Sequence, residues 1–75
     1  FNPSTNIQFS VPHSTFVTLR IFNVLGERIA TLVSEKLSAG THQARWDAQG
    51  SPTGVYFYQL QAGAFRETKK LILLR

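Results

Sequence analysis

The chain has 75 residues and a mass of 8.4 kDa, enough for one small domain over 1–75, and it lacks the cysteines that would supply disulfides or thiolate metal ligands. The net charge of +4 would suit an anionic partner, but the eight Lys and Arg residues are spread along the chain, which favours solvated strand faces over a dedicated anion-binding patch. Because methionine is also absent, we expect a processed product or a piece of a longer protein.

Apolar residues recur at every second position, which is the period of half-buried strands. The first two predicted strands span 5–11 and 16–22, separated by Pro12, which lacks the N–H needed to continue a ladder. Their predicted inward residues are Ile7, Phe9, Val11, Val17, Leu19 and Ile21.

A turn follows the second strand, and Gly26 can supply the positive φ that such a turn needs. Residues 27–33 favour a third strand because Thr and Val suit extended backbone. Residues 34–40 are mostly polar and predict a connection, and 41–47 alternate again as a strand that contains Trp46.

The strongest loop signal is 48–54, which contains two glycines and one proline. It is followed by a predicted strand over 55–61, a hairpin over 62–64 and a last strand over 65–74. Six or seven short strands at roughly ten-residue spacing, with no convincing helix, predict an all-β protein with the architecture of an antiparallel β-sandwich.

Side chains that could support catalysis are sparse and separated. His13 and His42 lie in different segments and without cysteine are too few for a zinc site. The sequence has no nucleophile elbow and no glycine-rich phosphate loop, and its four carboxylates fall in four segments. We therefore expect a protein that is not an enzyme, with no cofactor, no metal, no small-molecule substrate and no nucleic-acid partner.

Three aromatic residues have two interpretations. Trp46, Tyr56 and Tyr58 could form a platform that stacks on sugars, as in an extracellular accessory module. A small sandwich also needs large side chains to fill its interior, and we predict that these three serve as core.

Five segments of the chain carry a family resemblance. They are N-P-S-T-x-I-x-F-x-V-P over 2–12, V-x-L-x-I-F-N-x-x-G-E-x-I-x-x-L over 17–32, A-G-x-H-x-x-x-W-D over 39–47, S-P-x-G-V-Y-x-Y-x-L over 51–60 and K-K-L-x-L-L-R over 69–75. In order and spacing they resemble the type A C-terminal sorting domain of the type IX secretion system. The immunoglobulin-like domain of flagellar hook-capping proteins has a similar motif style, but the last segment favours the sorting domain.

The resemblance implies an immunoglobulin-like fold and a role in transport. Such domains direct a secreted cargo through an outer-membrane translocon, from the periplasm to the outer cell surface or the medium, and a sorting protease often removes them. We expect the residues that the translocon recognises to be Gly54 and the last strand through Arg75, with the candidates Gly54, Lys69, Lys70, Leu71, Leu73 and Arg75.

A second hypothesis is self-association into an extracellular filament. A small sandwich can polymerise by pairing its strand edges or by donating a strand to a neighbour. The candidate donor strand contains Ile7, Phe9 and Val11, whose alternating apolar face could fill a neighbour's core. Pairing of this strand within its own domain is the default expectation.

Overall fold

The computed structural model describes residues 3–74 and contains six strands in two antiparallel sheets. The strands are β1 Ser4–Val11, β2 Thr15–Asn23, β3 Arg28–Leu37, β4 Gly40–Asp47, β5 Gly54–Ala62 and β6 Phe65–Leu73. One sheet has the order β3-β2-β5-β6, and the other pairs β1 with β4. The buried residues of both sheets form one cluster, so the predicted immunoglobulin-like β-sandwich is confirmed.

No helix in the described part of the chain is long and apolar enough to cross a membrane.

The core consists of the residues that face inward at every second position of the strands, as the period of two predicts. All nine predicted core positions are buried: Ile7, Phe9, Val11, Val17, Leu19, Ile21, Trp46, Tyr56 and Tyr58. Leu60 and Leu73 add two large side chains, which are 1% and 0% exposed.

The aromatic residues belong to this core. Trp46 and Tyr56 are 3% and 5% exposed, and their rings meet edge to face with centroids 5.2 Å apart. The Tyr56 hydroxyl donates a hydrogen bond of 2.6 Å to the carbonyl of Pro52, so the polar end of a buried ring is satisfied. The interpretation of these rings as core is therefore confirmed, and they offer no exposed platform for a sugar.

The predicted connection over 34–40 is wrong for its first half. Strand β3 continues to Leu37, and only Ser38 and Ala39 link it to β4. The polar residues in this part of β3 do not interrupt pairing because β3 is an edge strand, whose side chains can remain in water. Leu37, at the end of this strand, packs against the core.

The predicted turn after β2 is confirmed and is held by one side chain. The Asn23 carbonyl oxygen Oδ1 accepts hydrogen bonds from the backbone N–H groups of Leu25 and Glu27, each 3.0 Å long. Its Nδ2 donates to Oε1 of Glu27 at 2.8 Å, and Gly26 takes a φ of 81°. These contacts fix the turn while Leu25 is 79% exposed.

We predict that Trp46→Ala lowers the free energy of unfolding by about 3–5 kcal/mol, because it removes a large side chain shared by both sheets. Urea unfolding monitored by circular dichroism measures the effect. Leu25→Ala is the control and should change stability by less than about 0.5 kcal/mol, since this side chain is exposed. A Trp46→Ala chain as stable as the parent would contradict this packing.

Candidate recognition site

Strand β6 contains most of the predicted recognition residues and lies at the edge of the larger sheet. It pairs with β5 along its whole length, from Phe65 opposite Ala62 to Leu73 opposite Gly54. The sheet order places no strand on the other side of β6 among the described residues. An edge of this kind presents backbone N–H and C=O groups to which another chain can add a strand.

Two leucines anchor β6 to the core. Leu73 is 0% exposed, and Leu71 is partly buried against the same cluster. Both were predicted as recognition residues, and the structure places them where they hold the strand in position. The contacts of Leu71 and Leu73 are therefore with the core of their own domain.

Lys69 and Lys70 are adjacent in sequence but project to opposite faces of the sheet. Lys69 is opposite the buried Tyr58, whereas Lys70 is opposite Phe57 on the outer face. Both lysines are exposed. An inward-pointing charge on an edge strand discourages edge-to-edge aggregation, so the two lysines have different surroundings and different possible roles.

Gly54 begins β5 opposite Leu73. Its φ is +156°, and a Cβ added there would meet nothing within 4 Å. A side chain at this position would therefore be disfavoured by the backbone conformation and not by a clash. Arg75, the last predicted recognition residue, lies outside the described residues.

The end of β6 also exposes two apolar side chains that were not predicted as recognition residues. Ile72 is 50% exposed opposite Val55, and Leu74 is 58% exposed. Alternation was the signal that could have identified Ile72, since Leu71 and Leu73 on either side of it face inward.

An open recess of about 360 Å³ lies at the same end of the sandwich as Ile72 and Val55. Its apolar lining comes from the turn after β2, from the start of β3 and from the residues on either side of Gly54: Val24, Leu25, Ile29, Pro52 and Val55. The end of β6 therefore adjoins an apolar surface.

The candidate donor strand lies inside its own domain. Ile7 and Phe9 pair with Ala44 and His42 of β4, and Ile7, Phe9 and Val11 are 4%, 5% and 3% exposed. The His42 ring packs at 5.7 Å from the Phe9 ring, and its Nε2 lies 2.8 Å from the carbonyl of Ser38. Strand donation would require β1 to leave these contacts.

Leu73 and Leu74 are adjacent, but Leu73 is buried in the core and Leu74 is exposed. We predict that Leu73→Ala lowers the free energy of unfolding by about 2–5 kcal/mol, because it opens a cavity under β6. Leu74→Ala, next to it and exposed, should change stability by less than about 0.5 kcal/mol. Thermal unfolding of the two variants measures the difference, and equal losses would contradict the described packing of β6.

The family model for the secretion system C-terminal sorting domain matches residues 2–74. Comparison with curated proteins finds no match, and comparison with solved structures finds none.

Proposed function

The chain belongs to the family of secretion system C-terminal sorting domains, and on that premise we propose that it is the address of a cargo protein. The domain directs this cargo through the type IX secretion machinery to the outer cell surface or the medium. It acts by being recognised and has no catalytic role.

The family match over 2–74 is the observation that carries the proposal. The structure supports it with a strand that is anchored by Leu73 and lies at the edge of its sheet among the described residues. Exposed groups line this strand, and Ile72 and Leu74 add apolar area at its end.

The translocon would recognise the intact fold and the features displayed at this edge. Gly54 contributes by setting the start of β5, against which the end of β6 pairs. Leu71 and Leu73 hold the strand, while Lys70 and Arg75 are the charged candidates for contact. Lys69, on the inner side of the sheet, instead discourages edge-to-edge pairing. A sorting protease would then act on the translocated protein.

The test is export of a reporter fused to the chain in a host that has the type IX machinery. The parent fusion should deliver the reporter to the surface or the medium, and deletion of 69–75 should trap it in the periplasm. Because the deletion removes Leu73, it also destabilises the fold, so export must also be measured with variants that leave the core intact.

The informative variant is Ile72→Ser with Leu74→Ser, since both side chains are at least half exposed. We expect a loss of most surface reporter with little change in melting temperature. Phe65→Ser is the control, because Phe65 is 44% exposed but lies at the other end of β6, opposite the buried Ala62 on the inner side of the sheet. Normal export of the double variant would exclude these two side chains, and normal export of the deletion would overturn the sorting function.

Self-association into a filament is the alternative function. The edge position of β6, and the pairing of β1 with β4 alone among the described strands, favour it, whereas Lys69 on the inner side of the edge opposes edge pairing. Sedimentation and negative-stain imaging of the purified chain distinguish the two functions. A monomer at high concentration supports the sorting role, and ordered fibres support the filament.

A further inference from the structure

The register of the larger sheet gathers most of the chain's cations on one side. Residues that pair directly across neighbouring strands point to the same face of the sheet. The face that points away from the buried Leu19 and Ile21 can therefore be traced across all four strands. We call this side the outer face. Its charged residues are Arg20, Arg28, Lys36, Arg66 and Lys70.

No carboxylate side chain lies on the outer face. Glu35 is opposite Val17 and Glu67 is opposite Leu60, so both are on the inner side of the sheet. Glu27 lies in the turn after β2, and Asp47 ends β4 in the other sheet. Cations that are scattered in sequence thus lie on one face of the larger sheet.

Two phenylalanines lie in the middle of this surface. One row across all four strands contains, in order, Arg28, Phe22, Phe57 and Lys70. Because neighbouring strands are about 4.8 Å apart, the row spans about 15 Å, with an aromatic pair between two cations. Val55 and Ile72 oppose each other two residues further along and extend the apolar centre.

Arg20 lies on the same face with part of its guanidinium unsatisfied. Its Nε is buried, and no described residue accepts a hydrogen bond from it. The side chain borders an open recess of about 360 Å³, together with Thr18 and Gln61. A buried donor without an acceptor costs stability, and a carboxylate from a partner could bind the guanidinium through two hydrogen bonds.

We propose that the outer face is a docking surface for a protein of the secretion machinery whose own surface has an apolar centre and an acidic rim. This inference rests on the proposed sorting function and names the chemistry of its partner. Charge complementarity requires an anionic partner, since the face has five cations and no carboxylate.

The aromatic centre favours a protein over a phosphate-bearing polymer. Protein interfaces combine an apolar core, often aromatic, with arginine and a polar rim. A polyphosphate or a phosphorylated glycan would use the cations but would leave Phe22, Phe57, Val55 and Ile72 without a complementary surface.

The matched pair Lys70→Glu and Lys69→Glu tests this surface in the reporter export assay. Each changes the net charge equally and at neighbouring positions, but only Lys70 lies on the outer face. We expect Lys70→Glu to lower surface reporter about tenfold or more, because it places like charges together at the interface. Lys69→Glu should export near the parental level, and both should melt near the parental temperature.

Photo-cross-linking identifies the class of partner. A photoreactive amino acid in place of Gln59, on the outer face opposite Arg20, should give a discrete, protease-sensitive adduct in exporting cells. The adduct should disappear in Lys70→Glu. The same group in place of Gln43, in the smaller sheet, should give none.

The outcomes separate this inference from the sorting function. Export of the parent with equal export of Lys70→Glu and Lys69→Glu would overturn the docking surface and leave sorting intact. An adduct that resists protease, together with retention of the chain on immobilised polyphosphate, would identify a phosphate polymer and overturn the protein partner. A parent chain that is not exported would overturn both.

Discussion

The pairing of β2 with β5 is the interaction on which the rest of the structure depends. It places Val17, Leu19 and Ile21 opposite Ala62, Leu60 and Tyr58, and all six residues are buried. Strands β3 and β6 add to this central pair, so its register decides which of their side chains face the core. A slip of one residue would exchange the two faces of the sheet and place charged side chains in the interior.

The same register gives the two sides of β6 different surroundings. Its inner side supplies Leu71 and Leu73 to the core, and no other described strand pairs with its far edge. Its outer side completes the row in which Phe22 and Phe57 lie between Arg28 and Lys70. Buried positions that anchor the strand therefore alternate with exposed positions along β6.

Alternation in the sequence was enough to predict the fold class and the core, and Gly26 was enough to predict the turn after β2. It failed over Ser34–Lys36, because an edge strand tolerates polar residues that elsewhere indicate a loop. The cationic face could not be predicted, since Arg20, Lys36 and Lys70 come to lie on one face of the sheet only through strand order and register. Leu73 was correctly placed in the last strand, but its burial depends on its position opposite Gly54.

The register across β2, β5 and β6 is the central claim, and nuclear Overhauser contacts in the isotopically labelled chain test it most directly. We expect contacts of the Phe57 ring with both Phe22 and the Lys70 side chain, and contacts of Lys69 with Tyr58. Contacts of Phe57 with Lys69 in place of Lys70 would contradict it. That result would mean that the two faces of β6 are exchanged. It would remove the basis for both the anchored edge and the cationic surface.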